Sequence, residues 1–228
     1  METQRLVLRM CEESDAEALF RCARDPLIGQ LAGWLPHTSV EHSREVIEME
    51  LSQPETYAVC LKDGSPIGSI GLHLNGYTKM TDQHDECELG FWISRTYWGQ
   101  GLIPEAAREM LRHAFEDLQM RAVWCGYYDG NTKSKRVQEK LGFVYQHKIE
   151  SVEIKLINEV HTVYCNLMTK ERWQNVTLFL KQKNMLDLFL EKGAISQSQY
   201  NKSLDGLRGE MDVDLAIEER LLPPYLKV

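Results

Sequence analysis

Apolar residues recur along this chain in two rhythms, and the switches between them lay out an ordered set of elements. Gln4 to Met10 alternates with a period of two, which predicts a strand. Ser14-Asp15-Ala16-Glu17 has capping-box form and opens a helix to Arg24, and Thr38-Ser39-Val40-Glu41 repeats the signal for a helix to Ser52. Tyr57 to Leu61 and Ile67 to Leu74 read as strands joined by the hairpin turn Lys62-Asp63-Gly64-Ser65. A polar loop from Asn75 to Asp85 follows, then a strand from Glu86 to Ile93. Ala106, Met110, Leu111, Ala114, Phe115 and Leu118 recur at helical spacing in a helix that reaches Gln119. Ala122 to Tyr128 is strand-like, and Asp129-Gly130 turns the chain into a short helix from Asn131 to Leu141. Gly142 ends that helix, as a glycine just past the last turn does. Phe143 to Ile154 and Val160 to Met168 complete an antiparallel pair. The expected class is mixed α/β, a sheet of about seven strands with helices on its faces.

Past Arg172 the pattern changes. Met185, Leu186, Leu188, Phe189 and Leu190 form an apolar helical stripe stopped by Gly193. Ser196-Gln197-Ser198-Gln199 is another capping box, with Ile195 and Tyr200 placed as a hydrophobic staple, and an acidic tail ends in Leu-Leu-Pro-Pro-Tyr. The chain thus divides into residues 1–172 and a two-helix appendage, 173–228. The appendage is too small to stand alone and is expected to pack on the main domain or on a second subunit.

Composition narrows the classes. The 228 residues are 43% hydrophobic and 26% charged, which describes an ordinary globular protein. A net charge of −8 argues against non-specific nucleic-acid binding. No run is long and apolar enough for a membrane span, and the N-terminus lacks the apolar core of a signal peptide. Cys11, Cys22, Cys60, Cys87, Cys125 and Cys165 are scattered without a Cys-x-x-Cys pair, as expected of reduced thiols in the cytoplasm. No His, Cys, Asp or Glu spacing suggests a metal.

The chemistry concentrates between the strand ending at Ile93 and the helix after Pro104. Tyr97-Trp98-Gly99-Gln100-Gly101-Leu102-Ile103 is a Gly-rich turn leading into a helix, so bare backbone N–H groups and the positive end of the helix dipole suit a phosphate or pyrophosphate. A Walker loop needs Gly-x-x-x-x-Gly-Lys-Ser/Thr, which is absent. The dinucleotide fingerprint needs a third glycine where this chain has Pro104.

A third phosphate loop fits. Glu88-Leu89-Gly90-Phe91-Trp92-Ile93, Trp98-Gly99-Gln100-Gly101, Glu105-Ala106, Asn131-Thr132-Lys133-Ser134 and Lys140-Leu141-Gly142-Phe143 occur in order. Together they resemble the core of the GNAT superfamily of acetyl-CoA-dependent N-acyltransferases. They are most similar to its Rim-type branch, whose members acetylate the N-terminal residue of ribosomal proteins or small amines. The resemblance covers residues 1 to 170 in element order. One departure is Thr96, where the superfamily often carries Gln or Arg. The resemblance implies a mostly antiparallel sheet in which the strand ending at Ile93 splays from its neighbour. Backbone groups of Phe91 and Ile93 would then pair with the pantetheine arm, and amides from Trp98 through Gly99, Gln100, Gly101 and Leu102 to Ile103 would cradle the pyrophosphate. Asn131 would hydrogen-bond the pantetheine or nearby phosphate.

Acetyl transfer to an amine needs a neutral nucleophile, a polarised carbonyl and a proton for the departing thiolate. The N–H of Phe91 or Trp92 is a candidate oxyanion donor. Ser134 is a candidate proton donor by resemblance, or else interacts with backbone in its own helical turn. Two glutamates compete as general base: Glu153, where the Rim-type pattern carries one, and Glu88, where other branches do. Either could instead be a solvated surface carboxylate. His84, Asp85 and Glu86 could attract a cationic acceptor, and Trp34 either contacts substrate or packs. The expected activity is acetyl-CoA-dependent N-acetylation of a small-molecule or peptide N-terminal amine by direct attack in a ternary complex. The alternative is a non-catalytic acyl-CoA sensor whose C-terminal helices recruit a partner. The apolar stripe of the appendage is compatible with a homodimer.

Overall fold

Seven strands pair in the order β1 (Leu6–Arg9), β2 (Thr56–Leu61), β3 (Pro66–Leu74), β4 (Glu86–Ile93), β5 (Ala122–Tyr128), β7 (Glu159–Thr169) and β6 (Val144–Ile154). The computed structural model describes residues 1–74 and 80–213. Part of the expected loop after Leu74 and the tail beyond Val213, including Leu221-Leu222-Pro223-Pro224-Tyr225, therefore lie outside the described residues.

Neighbouring strands are antiparallel except β4 and β5, which run parallel from Glu86–Ala122 to Glu88–Trp124. A parallel pair cannot be closed by a hairpin; α4 (Leu102–Arg112), continued by a π turn at His113–Asp117, makes the crossover. Two-residue alternation sends Leu89 and Ile93 to the α4 face, where they join Met110, Phe115, Val123 and Cys125 in the main core. On the opposite face, α1 (Ala16–Ala23) and α3 (Val40–Val46) help cover Ala58 and Cys60 through Ala16, Leu19 and the following Ile47. The α/β expectation, with helices on both faces of a seven-stranded, mostly antiparallel sheet, is borne out.

Several local readings need correction. The first helix is capped two residues before Ser14: the Asp15 carboxylate accepts from Glu12 N–H at 2.9 Å and holds Arg9 through two further bonds. A helix α2 (Pro26–Ala32) was not anticipated. Its signals were nonetheless present, with the Asp25 side chain accepting from Leu27 N–H, proline in the first turn and Gly33 closing it at φ 85°. The helix from Ser39 departs from α geometry after Val46, where a π turn spans Ile47–Leu51. By contrast, α5 (Thr132–Leu141) begins and ends where the sequence placed it, with Gly142 left-handed at φ 91°.

α6 (Lys170–Glu191) starts directly at the end of β7, where Thr169 Oγ1 accepts from Arg172 N–H at 3.1 Å. The division between 172 and 173 therefore falls inside a helix, and Trp173 belongs to the main core, stacked on Phe115 at 6.0 Å. Val176, Phe179 and Leu180 turn toward α7 (Gln197–Met211), meeting Leu204 and Met211. The stripe read from the sequence is split: Leu186 packs on this small core, whereas Met185 and Phe189 are exposed. Lys183 is buried between the two helices, paired with Asp187 at 2.7 Å and 5.8 Å from the centre of the Tyr200 ring. The capping box at Ser196 forms as expected, with Ser196 Oγ accepting from Gln199 N–H. Among the described residues no helix is long and apolar enough to cross a membrane.

Candidate active site

Past Glu88 and Trp124 the parallel strands part, and a cleft of about 870 Å³ opens between β4, β5, α2 and α5. All ten residues expected at the cofactor except Gln100 line it, together with Glu88 and Ser134.

The exposed edge of β4 follows from ladder geometry. Ser94 N–H donates to Ile67 O at 2.8 Å. Paired groups alternate in an antiparallel ladder, so Trp92 also turns its N–H and C=O toward β3, opposite Ser69. Phe91 and Ile93 turn theirs toward the gap. Of the two oxyanion donors considered, Phe91 N–H is therefore available and Trp92 N–H is consumed by the sheet. The Ile93 carbonyl is itself taken by the indole N–H of Trp98, at 3.0 Å. What remains open along this edge is the N–H and C=O of Phe91 and the N–H of Ile93.

At the far end of the same edge, the turn from Trp98 to Ile103 presents backbone amides. Gly99 and Gly101 have φ of 76° and 71°, a region side chains disfavour. Gly101 caps α4 without a side chain, so the first amides of the helix have no partner within it. Among the described residues the N–H groups of Gly99, Gly101, Leu102 and Ile103 have no backbone acceptor in the chain. A clamp holds this turn: Arg5 donates to Gln100 O at 2.8 Å and to Glu105 at 2.6 Å, and buried Glu105 also accepts from Thr3 Oγ1. The Gln100 side chain turns back to Thr96 O. Lys133, Arg136 and Lys140 line the cleft at helical spacing on α5, with Lys133 Nζ 4.8 Å from the Trp98 ring centre. That spacing is legible in the sequence.

Asn131 lines the cleft and also ties its walls together. Its Oδ1 accepts from Ser134 N–H at 3.1 Å, capping α5, and its Nδ2 donates to Leu31 O at 3.2 Å, tying α2 to α5. Ser134 is held differently. Gln138, fully buried, donates through Nε2 to Gly126 O and to Ser134 Oγ, while its Oε1 accepts from Asn166 Nδ2 at 2.6 Å. Because Ser134 Oγ accepts from Gln138, its own O–H is free to donate elsewhere. Sequence reasoning missed Gln138, which carries no signal in one sequence.

The two glutamates separate. Glu88 lines the cleft. Glu153 is exposed on β6 and is not among the lining residues, whereas its neighbours Val152 and Ile154 are, as strand alternation requires. Trp34 also lies off the cleft: its ring packs on Trp92 at 5.5 Å and on His37 at 5.5 Å. Asp85 and Glu86 are engaged by Arg121, and buried Glu86 also accepts from Thr81 and Trp124. Tyr164 stacks on Tyr127. Burial, with a smaller contribution from the Glu88 charge, raises the Tyr128 phenol above its ordinary value and holds the Cys125 thiol well above its own. Cys125 therefore stays a neutral thiol and no thiolate nucleophile faces the cleft.

An open sheet parted at a parallel pair, with a Gly-rich amide turn at the head of the crossover helix, defines a class. Residues 5–144 match the family model described as acetyltransferase (GNAT) domain, and the chain belongs to that family. YdaF of Bacillus subtilis (strain 168) is 33% identical over 116 residues, a match spanning 50% of this chain and 59% of YdaF. The ribosomal-protein-serine acetyltransferase of Escherichia coli (strain K12) is 24% identical over 104 residues, 38% of this chain and 58% of that enzyme. Among solved structures, an acetyltransferase (GNAT family) from Bacillus anthracis superposes with a TM-score of 0.65 at 21% identity, covering 75% of this chain and 98% of its own.

Proposed function

We propose that this chain transfers an acetyl group from acetyl-CoA to a primary amine, which attacks directly while both substrates are bound. The observation that carries the reading is the meeting, in one cleft, of an unpaired strand edge at Phe91, the free amides of Gly99, Gly101, Leu102 and Ile103, and the side chains of Glu88 and Ser134. The donor fits what is present: an amide-bearing chain can pair with Phe91 and Ile93, and phosphates can meet the free amides beside Lys133, Arg136 and Lys140. Acetyl-CoA supplies the acetyl group as a thioester. The chain's residues do the rest. Glu88 accepts the proton of the incoming amine, Phe91 N–H stabilises developing negative charge on the carbonyl oxygen, and the Ser134 hydroxyl passes a proton to the departing thiolate while taking one from a solvent water. A positioned base contributes about 10²–10⁴-fold and one oxyanion donor about 10²–10³-fold. Glu153 has no part in this reading, and neither has Trp34. Every residue named in this reading precedes α6, whose first turns pack on the main core through Trp173.

Calorimetry with acetyl-CoA, followed by thiol release in the presence of amines, tests the proposal. Binding with amine-dependent thiol release is expected, and absence of binding refutes it. Binding without transfer to any amine would favour an acyl-CoA sensor instead.

A further inference from the structure

The acceptor can be narrowed from the walls of the cleft. Strand parity puts Glu88 on the α1 and α3 face of the sheet, because Leu89 and Ile93 join the α4 core while Trp92 packs with the opposite cluster. Trp124 lies opposite Glu88 in register, so Gly126 and Tyr128 share its face. Gly126 leaves room here for an apolar lining: a Cβ built on it would collide with Met80 Cε and lie 3.2 Å from Val163 Cγ1. Val163 pairs with Tyr128 on one side and Ile149 on the other, and further along β6 Val152 and Ile154 line the same cleft. Of these side chains only Val163 is buried, so the others present apolar surface that a ligand can still cover.

Charge is scarce on this wall. Register places Glu159 and His161 on this face as well. They pair with each other at 2.7 Å, His161 packs on the Tyr128 ring at 5.0 Å, and neither lines the cleft. Among the described residues that line the cleft, Glu88 is the only carboxylate, and the cations Lys133, Arg136 and Lys140 all lie on α5. A polyamine or amino sugar would bring several ammonium groups to a cavity that offers one negative partner, leaving the remainder uncompensated. An amine on an apolar body would place one nitrogen at Glu88 and its carbon framework on the wall. Resting on the acetyl-transfer reading above, we infer that the acceptor is a primary monoamine carried by an uncharged apolar body, such as an arylalkylamine or a peptide end with an apolar first residue.

The test is steady-state thiol release from acetyl-CoA with 2-phenylethylamine, the C-terminally amidated tripeptide Phe-Gly-Gly-amide, glycinamide and spermidine, the first two separating a small amine from a peptide end. One of the apolar amines should exceed both glycinamide and spermidine in kcat/KM by roughly tenfold or more, the discrimination an apolar pocket gives for a buried hydrocarbon group. Ile149→Glu plants a second carboxylate on the wall and should lower the ratio of apolar amine to spermidine by about the same factor. Ile149→Val, which keeps the wall apolar, should shift that ratio far less, and the melting temperature of Ile149→Glu itself checks that it is folded. Preference for spermidine or glycinamide, or a ratio indifferent to Ile149→Glu, overturns the acceptor class while acetyl transfer stands. Failure of every amine to release thiol, or of acetyl-CoA to bind in calorimetry, overturns the transfer reading and this inference with it.

Discussion

Replacing Gln138 by methionine should destabilise the protein more than the loss of one hydrogen bond implies. Gln138 is fully buried, and its amide joins three elements: Gly126 O on β5, Ser134 Oγ on α5 and Asn166 Nδ2 on β7. Methionine keeps the length and helix propensity of the side chain, so packing changes little. Asn166, however, is 7% exposed, and its amide loses its acceptor at 2.6 Å. An orphaned buried donor costs about 1–3 kcal/mol. Gly126 lines the cleft, where solvent can replace the lost bond to its carbonyl, and adds less. For a chain of this length each kcal/mol lowers Tm by about 2–4 °C, so Gln138→Met should melt about 3–10 °C early by circular dichroism. The double variant Gln138→Met with Asn166→Leu removes the orphan together with its partner. It should recover most of the loss, because replacing both members of a buried pair is nearly neutral. A single variant that melts with the parent, or a double variant no better than the single, would refute the claim that the Asn166 amide depends on Gln138.

Glu88→Gln should lower kcat by about 10²–10⁴-fold with little change in acetyl-CoA affinity by calorimetry, whereas Glu153→Gln should leave turnover unaltered. Ser134→Ala should lower kcat and leave the melting temperature near that of the parent, since Ser134 is a partly exposed acceptor of one Gln138 bond; an unchanged kcat excludes its proton. A methyl on Gly99 meets nothing within 4 Å, so Gly99→Ala carries only the strain of its positive φ, about 1–2 kcal/mol. Its acetyl-CoA dissociation constant should nevertheless rise by roughly tenfold (about 1.4 kcal/mol), because the methyl occupies the space in front of the amide turn. Burial, then the charge of nearby His42, pushes the His37 ring down to about 4 from an ordinary 6.5. Between those values the unfolded chain binds the extra proton, so stability rises with pH: it is whole above 6.5 and lost as pH falls toward 4, by up to about 3 kcal/mol. Melting curves of His37→Asn should be flatter across that window, and an unchanged slope would exclude His37 as its source.

The sheet was legible because period-two alternation and continuous apolar runs mark strands wherever they are buried. β4 and β5 fell on the residues expected, and Gly142 and Ser196 ended and began helices by local rules that need no tertiary context. α2 was hidden because seven residues hold too few turns for a helical period to emerge, although Asp25-Pro26 and Gly33 bracket it. The site divided along the same line. Amides at Gly99–Ile103 follow from sequence-local geometry and were foreseen. The contacts that hold the side chains are not local: Asn131 reaches Leu31, a hundred residues away, and whether Glu88 or Glu153 faces the cleft depends on strand parity and the bulges in β6. Gln138 and Asn166 are 28 residues apart and reveal each other only once α5 lies on the sheet.

The indole of Trp98, hydrogen-bonded to the Ile93 carbonyl, has a consequence for solubility. A strand edge left unpaired within a sheet is a template on which another chain can polymerise. Trp98 removes one acceptor from that template, shortening the sticky edge to the groups around Phe91, which lie recessed between α2 and α5 rather than at the rim of the sheet. Any ligand that pairs with those groups would complete the protection. Protein purified without one should self-associate sooner on storage than protein kept saturated with it, and Trp98→Phe, which keeps the ring and loses the donor, should widen that difference.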